Sequence, residues 1–382
     1  MHNDQSASVS SALPRLIRNA IERQGGWLAF DRFMAMALYA PGLGYYANAS
    51  RKFGTLPQSG SDFVTAPELS PWFGRSLARQ VAQALQASGS SEVWEFGAGS
   101  GALAEQLIES LDGLGQPVGR YTIVDLSGSL RERQRERLAR FGDRVRWVDE
   151  LPAALQGVIV GNEVLDAMPV QLLHFDGEHW LERGVASEGE AFVWSDRPTA
   201  LRPPTDALPA DPDEAFTTFT PGTVIEIHLQ AEAFIATLAE RLTRGAAFFI
   251  DYGFPQAEYY HPQRTGGTLM CHRAHQADTD PLVDIGHKDI TAHVNFSGIA
   301  LVAQTAGLDV LGYTTQAHFL MNCGLLDLLE GADWKEIANA QKLLTEHEMG
   351  ELFKVIGFAK GLDEAFTSAP IGFARGDRTH TL

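Results

Sequence analysis

The spacing of apolar residues changes within a short stretch around residue 97. Residues 93–96 are mostly apolar, which predicts a short buried strand. After the glycine-rich run 97–101, leucine and isoleucine recur every three or four residues from Leu103 to Leu111, as on one face of a helix. The pattern therefore predicts a strand, a tight turn and a helix N-terminus in succession.

The predicted turn contains three alternate glycines, Gly97, Gly99 and Gly101, with Ala98 between the first two. Glycine is needed where the backbone adopts positive φ or approaches a ligand without a Cβ in the way. A strand, a glycine turn and a helix form the usual nucleotide-binding unit of α/β proteins. We therefore assign these four residues to cofactor binding.

Two cofactor classes fit this turn. Gly97, Gly99 and Ala102 match the G-x-G-x-x-G/A pattern of dinucleotide enzymes, in which a pyrophosphate lies on the helix N-terminus. Glu95, placed before the first glycine, and the G-x-G-x-G spacing are instead typical of class I S-adenosylmethionine enzymes, whose cofactor has no phosphate. Glu95 is therefore a further candidate cofactor residue, and the turn by itself leaves a nicotinamide or flavin open.

Two later strands are predicted to end in carboxylates. The apolar run 121–126 places Asp125, followed by Leu126, at a strand tip, where a carboxylate is suited to accept hydrogen bonds from both ribose hydroxyls. The run 145–149 ends at Asp149, where an adenine-edge contact is often made. All three residues are predicted cofactor contacts, although dinucleotide enzymes use the same ribose carboxylate.

The stretch 157–170 combines a strand with acidic residues. Its apolar strand leads to Asn162, Glu163 and Asp166 in a loop that Pro169 closes, at the strand end where ligands of α/β sheets bind. We assign Asn162 to the cofactor. Glu163 and Asp166 are predicted to grip a guanidinium by charge-assisted hydrogen bonds and to accept the departing proton. Alternatively, Asp166 has only a structural role and accepts hydrogen bonds from the main-chain amides of the turn.

Loops ahead of the glycine turn contain further candidates, because ligand-binding groups are concentrated in loops. Glu68 is predicted to assist the two acceptor carboxylates. The other candidates in these loops are Tyr45, Tyr46, Asp62, Phe63 and Thr65. The segment 129–141, dense in Arg and Glu, is predicted to be a helix whose charges form a solvated face.

The amino-acid composition limits the kinds of molecule that the protein is expected to bind. The chain has 382 residues, 45% of them hydrophobic, and a net charge of −18, which disfavours nucleic acid and anionic membranes as partners. The charge suits a cationic substrate, but it is explained more simply by a role in solubility. No apolar stretch has signal-peptide or membrane-spanning length, so we expect a cytoplasmic protein without membrane insertion. Cys271, His272 and His275 have no matching second ligand pair, so no metal site is predicted.

Several separated segments together resemble the MidA family of class I methyltransferases. The segments are FMAMALYAPGLGYY (33–46), DFVTAPELSPWFG (62–74), EFGAGSGALA (95–104), GNEVLDAMPV (161–170), FIDYG (249–253) and DITAHVNFSGIA (289–300). The resemblance implies an S-adenosyl-L-methionine-dependent enzyme with Gly97, Gly99, Gly101 and Asp125 at the cofactor. Asn295 departs from the Asp found in many relatives. The family includes a mitochondrial complex I assembly factor that methylates a protein arginine.

The predicted fold is α/β, a seven-stranded, Rossmann-like class I methyltransferase sheet with an N-terminal helical cap. The predicted segments are a cap over 1–90, a core over 91–360 with insertions at about 171–222 and 254–290, and a frayed tail within 361–382. A hairpin is expected at Asp176 and Gly177. A helix is expected to pair Asp289 with His293, and the stretch 254–288 is expected to be a long loop. Asp251 is expected to lie at the end of a strand and to border the site.

The predicted reaction is transfer of a sulfonium methyl group to a nitrogen, most simply a protein arginine. A respiratory-complex subunit is the protein partner that the resemblance implies. Two alternatives remain open: a small-molecule methyltransferase, and an assembly or binding factor that keeps the fold without catalysis. The sequence does not specify an oligomeric state or the degree of methylation.

Overall fold

The computed structural model describes residues 2–48, 65–125, 127–204, 219–273 and 276–382, and for residues 2–10 and 129 it describes the backbone alone. The chain forms two compact units. The first comprises Met1–Arg51, Asp166–Glu232 and Phe254–Asn295, and the second comprises Lys52–Leu165, Ala233–Gly253 and Phe296–Leu382. The boundaries of these units differ from those of the predicted segments. Residues 1–51 of the predicted cap belong to the first unit, and residues 52–90 belong to the second.

The strands that the described residues form are, in chain order, β1 (Leu28–Ala29), β2 (Glu92–Phe96), β3 (Arg120–Val124), β4 (Val145–Val148), β5 (Leu155–Asn162), β6 (Gln171–Phe175), β7 (Trp180–Glu188), β8 (Ala191–Pro198), β9 (Val224–Ile227), β10 (Leu242–Phe254), β11 (Met270–Arg273), β12 (Gln276–Asp278), β13 (Asp289–Thr291), β14 (Val294–Asn295), β15 (Asp309–Thr315) and β16 (Phe353–Lys360).

The α-helices in the described ranges are α1 (His2–Arg23), α2 (Phe30–Tyr39), α3 (Ala66–Leu69), α4 (Pro71–Ser88), α5 (Ala102–Gly113), α6 (Gly128–Leu138), α7 (Leu229–Arg241), α8 (Gln256–Tyr259), α9 (Phe296–Thr305), α10 (Gln316–Asn322), α11 (Leu325–Leu328), α12 (Trp334–Leu344) and α13 (Glu364–Thr367). Short 3-10 helices cover Ala139–Arg144, Ile371–Phe373 and Thr379–Thr381. Within these ranges, no helix combines the length and the apolar character needed to cross a bilayer.

The second unit contains the predicted seven-stranded sheet. Its strands pair in the order β15-β16-β10-β5-β2-β3-β4. The pairs from β10 to β4 are parallel, whereas β16 runs antiparallel to both β10 and β15. The chain order reverses between β2 and β5, and in open α/β sheets ligands bind at the strand carboxyl ends beside such a reversal. The predicted class I fold is confirmed.

Helices α4 and α5 bury their apolar faces in the core of this sheet. Leu77 and Val81 of α4 and Leu103 and Leu107 of α5 are fully buried or nearly so in one cluster with the strands. Ser70 begins α4 because its hydroxyl accepts the Trp72 amide. The apolar periodicity of the sequence thus placed α5 correctly after the glycine turn.

The first unit contains two antiparallel sheets. One has the order β1-β7-β6-β9 with β8 paired to β7, and the other has the order β12-β11-β13. The predicted hairpin is confirmed: β6 and β7 flank a turn in which Asp176 Oδ1 accepts the amides of Glu178 and His179. An aromatic cluster that includes Phe175, Trp180 and Tyr259 fills its core.

Two local predictions are wrong. Asp289 begins strand β13 instead of a helix, because the pairing of β13 with β11 outweighs the local helical spacing. Asp289 accepts a hydrogen bond from Tyr46 Oη at 2.7 Å, and the His293 ring stacks on Phe254. The predicted loop over 254–288 contains α8, β11 and β12.

The chain terminus is docked on the second unit instead of being frayed. The Arg378 amide donates to the Tyr313 carbonyl at 2.6 Å, and Asp377 Oδ1 accepts the Tyr313 amide at 3.0 Å. The Arg378 guanidinium also pairs with Glu351. Polar composition alone predicted fraying, whereas these hydrogen bonds fix residues 377–378 against β15.

Candidate functional site

The three glycines of the turn all adopt left-handed backbone conformations. Their φ angles are 61° at Gly97, 53° at Gly99 and 83° at Gly101. The Gly101 amide closes the turn by donating to the Ala98 carbonyl at 2.7 Å, and the Gly97 amide donates to Val124 at 3.2 Å. A side chain at any of these glycines would strain the backbone, which accounts for the residue type.

Asp125 lies directly after β3, beside the turn, and its carboxyl group is held from two sides. Its side chain is buried, Oδ1 accepts the Ser127 amide at 2.8 Å, and Oδ2 accepts Gln134 Nε2 at 2.7 Å. Burial raises the pKa of Asp125, and these hydrogen bonds oppose that shift. Each carboxylate oxygen has two lone pairs, so the group keeps the capacity to accept ribose hydroxyls as predicted.

Gln134 links the turn to the neighbouring strands, a role that the sequence interpretation missed. Its Nε2 also donates to the Gly99 carbonyl at 2.9 Å, and its Oε1 accepts Trp147 Nε1 at 2.8 Å. Leu130, Gln134 and Leu138 are all buried. Their spacing of four residues was the available signal, because it puts Gln134 on the apolar face of α6. The predicted solvated face therefore describes only part of this helix.

Arg131 of α6 connects the ends of β3 and β4. Its guanidinium donates to the main-chain carbonyls of Asp125 and Val148, and it pairs with Asp149 at 2.7 Å. The Asp149 side chain is 82% exposed. The pairing therefore places Asp149 at the same edge of the sheet as Asp125, at the carboxyl ends of two neighbouring parallel strands. The adenine contact of Asp149 stays a prediction.

Glu68 lies at the glycine turn. Its Oε1 accepts hydrogen bonds from Arg137, at 2.9 Å, and from the Ser100 hydroxyl, and Arg137 also pairs with Glu105 of α5. Glu68 thus fastens the segment before α4 to the turn that precedes α5. These contacts favour a role on the cofactor side, and its predicted assistance at the acceptor stays a prediction.

Glu95 is buried in strand β2 and is 2% exposed. Its Oε2 accepts the Tyr121 hydroxyl at 2.7 Å. Loss of hydration on burial raises the pKa of Glu95 from 4.5 to about 8. A neutral carboxyl group beside the turn is a hydrogen-bond donor as well as an acceptor.

We expect Glu95 to make the folded state less stable as the pH rises. Between pH 4.5 and about 8 the folded protein keeps a proton on Glu95 that the unfolded chain has lost. The free energy of unfolding should therefore fall by about 1.4 kcal/mol per pH unit from this group alone. Urea unfolding at several pH values should show this slope reduced in Glu95→Gln; parallel curves for the two proteins would contradict the assignment.

Asn162 and Glu163 follow at the carboxyl end of β5. Asn162 Nδ2 donates to Glu163 Oε1 at 2.9 Å, and the Glu163 amide donates to the Ile250 carbonyl at 2.9 Å. The side chain of Glu163 is partly buried, and its φ of 53° is left-handed. A non-glycine residue in this region is strained, and such residues are concentrated at functional sites.

Asp166 belongs to the first unit, whereas Glu163 belongs to the second. It is 4% exposed, and its carbonyl accepts the Ala292 amide at 3.0 Å. Burial raises the pKa of Tyr46, and the charges of Asp289 and Asp166 raise it further. Asp166 therefore contributes to an acidic region of its own unit, and its role at the acceptor stays a prediction.

The described residues fit an adenosyl cofactor. The turn offers main-chain groups without side chains, and Asp125 offers a carboxylate for hydroxyl donors. Leu126, Asp62, Phe63 and His275 lie outside the described residues. In the parts of the chain that the structure describes, no three His, Cys, Asp or Glu side chains converge to hold a metal ion.

Comparison with known proteins agrees with this geometry. A family model of S-adenosyl-L-methionine-dependent methyltransferases matches residues 76–314. The mitochondrial protein arginine methyltransferase NDUFAF7 of Mus musculus is 28% identical over 369 residues, which cover 86% of this chain and 80% of that protein. Its Danio rerio counterpart is 26% identical over 356 residues, which cover 84% and 78%.

Two solved structures from Burkholderia thailandensis resemble the whole chain. One, bound to S-adenosyl-homocysteine, is 51% identical with a TM-score of 0.92, and the match covers 99% of this chain and 98% of that one. The other, a native crystal structure, is 49% identical with a TM-score of 0.87 and the same coverage. The cofactor is therefore S-adenosyl-L-methionine, and the dinucleotide alternative is removed.

Proposed function

Because this chain belongs to the MidA-like family of S-adenosyl-L-methionine-dependent methyltransferases, we propose that it methylates an arginine side chain of a protein. The observation that carries the proposal is Glu163, a carboxylate held in a strained conformation at the carboxyl end of β5. The names of the NDUFAF7 relatives support the same acceptor.

The chemistry of the acceptor explains the need for a carboxylate. Bound S-adenosyl-L-methionine supplies the sulfonium methyl group. A guanidinium stays protonated in proteins, so its attacking nitrogen must lose a proton as the new nitrogen–carbon bond forms. The carboxylate of Glu163 aligns this nitrogen through charge-assisted hydrogen bonds and accepts that proton. Asn162, which donates to Oε1, fixes the orientation of the carboxylate.

The charge of the protein favours such a substrate. A net charge of −18 attracts a cationic peptide over distances beyond direct contact. Alignment then supplies the main rate gain, because a nitrogen held in attack geometry reacts as part of one complex. The respiratory-complex subunit that the family resemblance implies is the first protein to test.

The experiment uses the purified protein, methyl-tritiated S-adenosyl-L-methionine and an extract of cells that lack this protein. Acid hydrolysis of the labelled protein fraction should release methylarginine, and the Glu163→Gln variant should release far less. Label confined to small molecules, or to lysine or glutamine, would contradict the proposal. Binding of S-adenosyl-homocysteine without any labelling would instead indicate a binding factor that has lost catalysis.

A further inference from the structure

The left-handed backbone of Glu163 needs an external restraint. A glutamate at a φ of 53° is strained, whereas glycine adopts the same conformation freely. Strained residues persist only where the surrounding structure determines their conformation by several contacts. The chain nevertheless has a glutamate here, so the side chain is retained at the expense of stability.

Asp251, near the end of β10, accepts hydrogen bonds from the two main-chain amides that follow Glu163. It is 1% exposed, and its Oδ2 accepts the amides of Leu165 at 2.9 Å and Val164 at 3.2 Å. Its Oδ1 accepts the amide of Tyr252 at 2.9 Å. The preceding residue of β10, Ile250, accepts the amide of Glu163 itself. The end of β10 thus holds three consecutive amides, those of residues 163–165.

We propose that Asp251 is the positioning residue that holds Glu163 in its left-handed conformation and so aims its carboxylate at the acceptor nitrogen. The effect of this restraint on catalysis rests on the proposed function. The restraint itself is a property of the fold and does not depend on that function. In this role Asp251 does not need to touch the reacting atoms. It acts through the amides of Val164 and Leu165.

The strain is tested by two substitutions that remove the same carboxylate. Glu163→Gly accepts the left-handed conformation, whereas Glu163→Ala keeps a Cβ that resists it. We expect the melting temperature of Glu163→Gly to exceed that of Glu163→Ala by about 2 °C or more. Equal melting temperatures would show that residue 163 is not restrained against its preference, and would overturn the proposal.

The positioning role is tested by Asp251→Asn, with Glu226→Gln as the matched control. Glu226 is also 1% exposed, and its Oε1 also accepts two consecutive amides, those of Thr268 at 2.7 Å and Leu269 at 3.0 Å. Both variants should lose stability. Asp251→Asn alone should lower kcat, on the order of tenfold to a hundredfold, with S-adenosyl-homocysteine binding unchanged. An equal loss of kcat in both variants would show a merely structural role.

The double variant Asp251→Asn with Glu163→Gly separates this inference from the proposed function, because melting temperatures need no acceptor. With glycine at 163 the restraint is unnecessary, so Asp251→Asn should lower the melting temperature less than it does beside Glu163, by about 2 °C. If Asp251→Asn alone fails to fold, a double variant that does fold supports the restraint. Equal losses in both backgrounds, or two unfolded proteins, would overturn it, whichever residue the enzyme methylates.

Discussion

Substitution of Glu163 by glutamine is expected to lower methyl transfer by roughly 100- to 1000-fold. Glutamine keeps the shape of the side chain and an oxygen that can accept from Asn162, but it has no negative charge to align a guanidinium and accepts no proton. Binding of S-adenosyl-homocysteine should stay within about threefold, because the glycine turn and Asp125 are unchanged. Single-turnover rates and calorimetry measure the two quantities separately.

The matched control for this prediction is Glu109→Gln. Glu109 lies on the outer side of α5, is 47% exposed and pairs with Arg140. The same loss of charge there should leave the rate unchanged, since exposed ion pairs contribute little. If the Glu163→Gln enzyme were as fast as the wild type, the reaction would not depend on this carboxylate.

Substitution of Asp125 by alanine is expected to weaken S-adenosyl-homocysteine binding by about 100-fold or more. The change removes the two carboxylate oxygens assigned to the ribose hydroxyls, and hydrogen bonds to a charged group contribute about 1.5–3 kcal/mol each. It also leaves the Ser127 amide and Gln134 without their acceptor. Calorimetric titration gives the dissociation constant directly.

Asp112→Ala is the control for that titration, because Asp112 forms an ion pair with Arg144 in the same unit and is 38% exposed. Its removal should leave the dissociation constant within about threefold of wild type. Thermal unfolding of both variants shows whether they remain folded. Unchanged affinity in a folded Asp125→Ala protein would contradict the ribose assignment.

The features that the sequence predicted correctly are encoded locally. The strand, turn and helix around residues 93–111 follow from apolar spacing and from glycines that adopt positive φ. The carboxylate of Asp125 followed from its place at the end of a strand. Each of these predictions needs only neighbouring residues, so a single sequence contains the information.

The features that the sequence did not reveal depend on contacts between distant segments. Arg137 reaches Glu68 across 69 positions, and Asp251 reaches Val164 across 87. Neither partner can be identified from local spacing, because strand order and register decide which loops meet. The wrong helix at Asp289 has the same origin, since β11 recruits that segment into a sheet.

The most direct test of the account is calorimetric titration of the wild-type protein and Gly99→Val with S-adenosyl-homocysteine and NADH. Gly99 has a φ of 53°, where valine is strongly disfavoured, and its carbonyl is tied to Gln134. We expect the wild type to bind S-adenosyl-homocysteine and not NADH, and Gly99→Val to lose that binding. Tighter binding of NADH, or full binding of S-adenosyl-homocysteine by a folded Gly99→Val, would contradict the placement of the cofactor on the glycine turn.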